Sequence, residues 1–421
     1  KPVYSHTGRP SIDPELMIRM LLIGYCYGIR SERRLCEEVE LNLAYRWFCQ
    51  LGLEDAVPNH SSFSKNRHGR FRDADLLRMV FDTVVKRCIE EELVKGEGFA
   101  IDASFIRADV SRQRAESSPV DWTPARTESR AVREYLAELD HNTTLNRPQK
   151  SISLTDPMAQ WSGAKGPAEF YYSTNYMIDI ENNIILDVEA SPSTHRLEVK
   201  TTRTMIERIE SNHEISPKRL MGDTAYGAAE NLGYLVDEKN IEPHVPVWDK
   251  TKRKDNTLSS GDFTWKSVDD EYQCPKGKPL RRRSRQYKHI KTVITKDNTI
   301  IYRSKVADCK DCPLKNKCCP NTTHRKITRS IHEAARDVAR SINETYEYKN
   351  KSFHERKKVE MMFAHMKRNH NFTRLRLRGI KSANDEFLMV AAAQNLKRLV
   401  RLCGQPPPNH GVTAPASPKM A

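Results

Sequence analysis

The chain has 421 residues, 38% apolar and 30% charged, with 15 Tyr, 12 Phe and 5 Trp, which excludes global disorder and predicts two or three domains. Its longest apolar stretch, Met20 to Ile29, is about half of the roughly 20 residues a bilayer crossing needs, so a membrane span is disfavoured. The formal charge is +15, which points toward an anionic partner.

From the N-terminus, Ser11 can cap a helix with Pro14 in its first turn, and Leu16, Met20, Ile23 and Tyr27 recur at helical spacing. A second helical stretch covers Glu32 to Leu51. After the turn Val57-Pro58-Asn59-His60, Ser61 or Ser62 can cap a helix carrying Lys65, Arg67 and Arg70, followed by an apolar helix over Ala74 to Leu93. Short helices ending on a basic one resemble a helix-turn-helix, and an ordinary helical subdomain is the plainer reading.

From Gly96 the pattern turns to strands. Phe99 to Ile106 is a strand-like run with Asp102 in its middle, residues 111–167 read as polar and irregular, and Phe170 to Ile180 and Ile184 to Ala190 read as a hairpin joined by Glu181-Asn182-Asn183. Thr194 to Ile209 is helical, Arg219 to Asp223 a short strand, Ala228 to Lys239 a helix and Glu242 to Val247 a strand. A basic, cysteine-bearing segment fills about 249 to 329. A long helical region over about 331 to 368 and a helix over Ala383 to Leu402 follow, and the Pro-rich end after Gly404 reads as disordered.

The positive charge is concentrated. Lys276 to Arg329 holds 17 Lys/Arg against 3 Asp/Glu, and Lys349 to Lys381 holds 11 against 2, so the remainder is mildly acidic. Two such clusters suit a polyanion, nucleic acid above all, since neutralised phosphates release condensed counterions. No charged-then-apolar-then-small start marks a signal peptide, so a cytoplasmic location is expected. The first residue is Lys1, so residues upstream are expected to be missing from this chain.

Asp102 inside an apolar strand and Asp223 at the end of another need compensating partners, because an isolated buried carboxylate costs several kcal/mol. For Asp223, capping the following turn is the plain alternative. On the helix at 353–367, Phe353, Arg356, Glu360 and Lys367 fall on one stripe at about 100° per residue, beside a core-facing stripe of Val359, Met362, Phe363 and Met366. Two strand Asp and a helix Glu supply the hard oxygen ligands that two-metal phosphoryl transfer uses. His195 with Glu198, and Asp187 with Glu189, read as surface polar groups, while Asp156 and Trp161 carry no assignment.

These motifs resemble a bacterial insertion-sequence DDE transposase. The family's Tyr, Arg, Glu, Lys signature matches the spacing of Phe353, Arg356, Glu360 and Lys367, with Phe in place of Tyr. Asp102 in "AIDAS" and Asp223 in "MGDTAYG" resemble its first two catalytic Asp. "GRPSIDPELMIRMLLIGY", "SERRLCEE" and "HSSFSKNRHGRF" resemble its helical N-terminal region, and "RLRGIKSANDEF" its C-terminal part. The resemblance implies an α/β fold with an RNase H-like mixed five-stranded sheet and flanking helices. It divides the chain into a helical DNA-binding region (1–95), a catalytic core (96–248 and 331–403), a basic insertion (249–330) and a tail (404–421).

It further implies Mg²⁺ (or Mn²⁺) held by Asp102, Asp223 and Glu360. Water attacks at the element end, freeing a 3′-OH that attacks target DNA. Arg356, Lys367, Phe353, Lys65 and Arg67 are the expected DNA contacts. The partners are double-stranded DNA, as terminal repeats and target, and further copies in a homodimer or higher multimer, in a cytoplasmic, nucleoid-associated setting. The alternatives are an RNase H-like nuclease without strand transfer and a non-catalytic DNA-binding descendant.

Ten Cys without a secretory signal predict reduced thiols. Cys274 with Cys309, Cys312 and Cys318 can build a tetrahedral structural Zn²⁺ site, with Cys319 as an alternative to Cys318 and idle or packing thiols as the plain reading. Cys26, Cys36, Cys49, Cys88 and Cys403 read as core or incidental.

Overall fold

The computed structural model describes residues 12–68, 75–117, 119–141, 150–163, 167–192, 195–248, 257–282 and 293–404. Ser11, Arg70, the side chains of His195 and Glu198, and the tail beyond Gly404 lie outside the described residues.

Helix α1 (Pro14–Tyr27) is capped by Asp13, whose carboxylate accepts the Glu15 N–H at 2.7 Å, and it stops at Gly28 in the left-handed region, φ +69°. The stretch expected as one helix over Glu32 to Leu51 is two, α2 (Glu32–Leu41) and α3 (Leu43–Phe48). Asn42 ends the first and caps the second by accepting the N–H groups of Ala44 and Tyr45. For α4 (His60–His68) it is Asn59, not Ser61 or Ser62, whose side chain takes a first-turn N–H. Helix α5 (Leu76–Glu90) and strand β1 (Gly98–Arg107) follow as expected.

The described part of residues 111–167 is more ordered than its polarity suggests. It holds β2 (Ala115–Glu116), α6 (Arg130–His141), β3 (Ile152–Ser153) and β4 (Gln160–Ser162). Buried Ala131, Val132 and Tyr135 give α6 its apolar stripe, thin enough to be masked by neighbouring charges. The hairpin β5 (Glu169–Asp179) and β6 (Ile184–Pro192) is present, with Asn183 at φ +53° in its turn.

Next come α7 (His195–His213), β7 (Arg219–Met221), α8 (Ala229–Gly233) continued by a π-turn at Tyr234–Glu238, and β8 (Glu242–His244). The basic segment contains β9 (Thr264–Lys266), β10 (Glu271–Gln273), β11 (Pro279–Arg282), β12 (Thr299–Arg303), α9 (Val306–Lys310), α10 (Lys315–Cys318) and β13 (Lys326–Ser330). The region expected as one long helix is broken into α11 (Glu333–Glu344), a π-turn at Tyr348–Ser352, α12 (Phe353–Glu355) and α13 (Lys357–Asn369), before α14 (Ile380–Cys403).

The chain folds as two interleaved compact units: Lys1–Lys95, Ser104–Ser193 and Met361–Ala421 in one, Gly96–Ala103 and Thr194–Glu360 in the other. In the first, β5 pairs antiparallel with β4 through Glu169 to Tyr171 and with β6 through Tyr172 to Asp179. The end of β1 runs beside β5, with the Ala108 N–H donating to the Phe170 carbonyl at 2.9 Å. Helix α14 packs on β6, α5 and α1, burying Phe387 to Ala393, and each large apolar side chain so enclosed contributes about 1.5–3 kcal/mol. Asn395 fixes its register by bonding both the N–H and the carbonyl of Ile185, at 2.9 and 2.8 Å. Asp187, expected on a solvated face, is instead buried and paired with Arg78, which also donates to the Val188 carbonyl at 2.8 Å. The apolar neighbours along β6 leave it no route to water.

In the second unit, β1 pairs parallel with β7 and β7 parallel with β8. Strands β9 to β13 form a separate antiparallel sheet in the order β13-β12-β11-β10-β9. The mixed sheet to which β1 belongs therefore draws on six strands rather than five, β4 being the addition from the stretch expected to be irregular. No described helix is long and apolar enough to cross a membrane.

Candidate active site

All three candidate carboxylates belong to the second unit. Strand β1 carries Asp102 at the end of the fully buried run Phe99, Ala100, Ile101, and its Oδ1 accepts the Ala103 N–H at 2.8 Å. Strand β7 leads through buried Leu220 and Met221 to exposed Asp223, whose Oδ1 accepts the Ala225 N–H at 2.8 Å and caps the short 3₁₀ turn Thr224–Gly227. The turn-capping role open to Asp223 is thus realised, and it leaves the second carboxylate oxygen available.

Ala100 faces Met221 in the last pair of the parallel ladder, and Asp102 and Asp223 each lie two residues further along their chains. Asp223 thus follows the carboxyl end of β7, where open α/β sheets build their sites, while Asp102 stands midway along β1. Gly227 closes the loop after Asp223: a Cβ there would meet the Pro246 carbonyl at 1.9 Å, while its own carbonyl accepts the Trp248 N–H at 3.0 Å.

Glu360 is exposed on α13 beside buried Val359. Met362, Phe363 and Met366 are buried, as the apolar stripe predicts. Arg356 stands at the junction of α12 and α13, and its guanidinium lies 5.3 Å from the centre of the exposed Phe353 ring, with the Lys357 ammonium at 5.6 Å. Arg356 keeps helical backbone angles, φ −53° and ψ −36°, but the Val359 N–H bonds back only three residues, to the Arg356 carbonyl at 3.2 Å, so the single ideal helix used to align Phe353, Arg356, Glu360 and Lys367 tightens there.

A buried polar cluster that sequence reasoning missed holds this helix start. The Arg219 guanidinium, on β7, donates to the Ser352 hydroxyl at 2.9 Å and pairs with Glu355 at 3.0 Å, and His244 Nδ1, on β8, lies 2.7 Å from the same hydroxyl. Burial holds the His244 imidazole below its usual range, toward the neutral form. The one signal in the sequence was a cation, Arg219, opening an otherwise apolar strand.

Burial, then the charges of Asp223 and Glu360, push the Asp102 carboxyl up to about 6, against the Ala103 N–H and the Arg356 cation. The three acids are thus electrostatically linked. No three His, Cys, Asp or Glu among the described residues are gathered closely enough to hold a metal ion as they stand. As a donor set, though, three carboxylates supply the hard oxygens that Mg²⁺ and Mn²⁺ prefer, and mutual repulsion gives them reason to take a cation.

The remaining candidates divide. Lys65 is exposed, whereas Arg67 is buried, donating to the Tyr25 hydroxyl at 2.6 Å and pairing with Glu32 at 3.0 Å, so the expectation that it contacts DNA is corrected to an internal structural role. In the first unit the Lys367 ammonium donates to the Ser104 hydroxyl at 2.8 Å. That unit also holds a cleft of about 690 Å³ lined by Arg114, Arg126, Arg130, Arg376 and Arg378, basic residues the sequence reading did not single out. Asp156 is fully buried and accepts from the Tyr172 hydroxyl at 2.6 Å and the Gly379 N–H at 3.0 Å. Cys274, Cys309, Cys312 and Cys318 line one cavity of about 30 Å³, and Cys319 is not in its wall.

Comparison with known families gives two matches. Residues 1–69 match the family described as Transposase domain (DUF772), and residues 273–400 match the Transposase DDE domain. The second match contains Glu360 and the cysteine segment, while Asp102 and Asp223 precede it. No curated protein matches the chain.

Proposed function

We propose, from the premise that this chain is an insertion-sequence DDE transposase, as its two family matches support, that it cleaves the ends of its element and joins them to target DNA. The observation that carries the reading is the linkage of Asp102, Asp223 and Glu360: neighbouring parallel strands carry the chain to the first two, and the Asp102 carboxyl is raised in part by the charges of the other two. The strand order β1, β7, β8 with an antiparallel hairpin in the other unit supports an RNase H-like catalytic core.

Asp102, Asp223 and Glu360 would hold a pair of Mg²⁺ or Mn²⁺ ions, which when bound lower the pKa of water and neutralise developing phosphate charge. The chain's own groups bind and orient. Arg356, steadied against Phe353, meets phosphates beside the scissile bond, and Lys367, in the first unit, is a further phosphate contact. Arg219, Ser352 and Glu355 hold the start of the helical segment that carries Glu360. Water adds to phosphorus as the P–O3′ bond breaks, a proton from the water passing to the departing O3′ to leave a 3′-OH and a 5′-phosphate; that hydroxyl then attacks a target phosphorus in line, its proton going to the target O3′ that is displaced. Exposed Lys65 and the arginine-lined cleft suit the duplex backbone. Two ends must be joined, so the active form is a dimer or higher multimer on DNA, in the cytoplasm with the nucleoid.

Incubation with labelled element-end DNA tests this. Cleaved and joined products with Mg²⁺, and neither with EDTA, are expected. Metal-independent products or none at all would overturn the reading, and cleavage without joining would reduce it to a nuclease.

A further inference from the structure

We propose that Cys274, Cys309, Cys312 and Cys318 form a tetrahedral zinc site that staples the β9–β13 sheet, a role independent of the catalytic reading. The four thiols come from segments separated by 34 intervening residues, yet they line one cavity of about 30 Å³, roughly the room a single ion and its contacts require.

Each segment is shaped around its sulfur. Cys274 opens a tight turn, Cys274-Pro275-Lys276-Gly277, in which Gly277 at φ +76° donates its N–H to the Cys274 carbonyl at 2.7 Å, and the Lys278 N–H points at the Cys274 Sγ at 3.3 Å. A backbone N–H aimed at sulfur favours the thiolate. On the other side, Cys309 sits in α9, Cys312 accepts the Lys315 N–H on its carbonyl at 2.9 Å at the entry to α10, and Cys318 ends that helix. Lys276, Lys278 and Arg325 line the cavity with the single acid Asp308, so the charged part of its wall is net positive toward four groups that bind metal as anions. Ser304, within 3.1 Å of the Cys309 sulfur, is a further polar neighbour.

The sheet has reason to need a staple. Its described buried core is Phe263, Tyr272, Leu280, Tyr302 and Ile327, against which Cys274 and Cys318 pack from the edge. Five buried side chains are few for a five-stranded unit, and small domains with so little core draw stability from metals or disulfides. All four cysteines are unpaired here. The sulfurs stand around the cavity without closing to ligand distance, so binding draws the Cys274 turn and the α9–α10 segment together. Cys319 neighbours Cys318 but is not among the residues that line the cavity, so Cys318 is the fourth ligand proposed.

The test is elemental analysis of the full chain, purified under reducing conditions without chelator, together with the absorption of its Co²⁺-substituted form. About one zinc per chain and thiolate-to-cobalt charge-transfer bands are expected. Cys274→Ser and Cys312→Ser should lose most of the bound zinc, while Cys319→Ser and Cys88→Ser retain it. Wild-type protein that neither contains zinc nor takes up Co²⁺ through sulfur, or that shows a Cys309–Cys312 disulfide, would overturn the proposal. So would zinc loss in Cys319→Ser with retention in Cys274→Ser. The wild-type measurements decide even if a serine variant fails to fold.

Discussion

Asp102 feels the charge of Asp223: each lies two residues beyond Ala100 and Met221, the last pair of the parallel β1–β7 ladder, and after burial that charge leads what lifts the Asp102 carboxyl to about 6. Repulsion of this kind destabilises the protein and, on the proposed function, would be relieved by a bound cation.

A direct consequence is catalytic. Asp102→Asn, Asp223→Asn and Glu360→Gln should each lower Mg²⁺-dependent cleavage by about a thousandfold or more, because several kcal/mol of charge stabilisation go with each ligand. Binding of end DNA, measured by gel shift, should change little. Full activity in any one variant removes that residue from the site.

Stability should depend on pH with a defined sign. Asp102 rises from 3.8 unfolded to about 6 folded, so its contribution is fully present below about pH 4 and is lost as pH climbs through 6. Asp156, lifted to about 6 chiefly by burial, acts in the same direction, so the comparison must be with Asp102→Asn. Without metal, wild type should lose about 1–2 kcal/mol relative to that variant between pH 4 and 7.5, a figure reduced for partial solvation. Mg²⁺ at pH 7.5 should restore wild type and not the variant. Parallel urea-denaturation profiles would contradict this.

Lys65 and Arg67 should separate cleanly although only two residues apart. Lys65→Ala should weaken DNA binding and reduce the slope of log affinity against log salt by about one. Arg67→Ala should leave that slope alone and cost about 2–4 kcal/mol of stability, since it abandons Tyr25 and Glu32 in a buried setting. Salt-dependent binding and chemical denaturation of both variants distinguish the roles.

Glu386 tests the first unit's core. It is fully buried, pairs with Arg30, and accepts the N–H groups of Arg376 and Leu377 at 2.6 and 2.7 Å. Glu386→Ala strands a cation and two backbone donors, and a loss of about 3–5 kcal/mol in equilibrium unfolding is expected. A loss under about 1 kcal/mol would mean those groups find water instead.

Much of the fold was legible because local rules acted alone. Asn183 in the β5–β6 turn and the stripe of Val359, Met362, Phe363 and Met366 both express periodicity directly. The misreadings come from tertiary partners. Arg67 and Asp187 look like surface charges in sequence, and only Glu32 with Tyr25, and Arg78, make their burial affordable. Helix α6 hid behind its charges, and the polar cluster at Ser352 depends on Arg219 and His244 reaching it from strands more than 100 residues away in sequence. For the candidate site, residue types and spacing singled out Asp102, Asp223 and Glu360, but a sequence does not show that the strands leading to the first two pair in parallel.

The most direct measurement of the central claim is an anomalous difference map from crystals of the full chain grown with Mn²⁺. Peaks within about 2.0–2.4 Å of carboxylate oxygens from Asp102, Asp223 and Glu360 together are predicted. Manganese bound elsewhere, with these three side chains pointing apart, would contradict it.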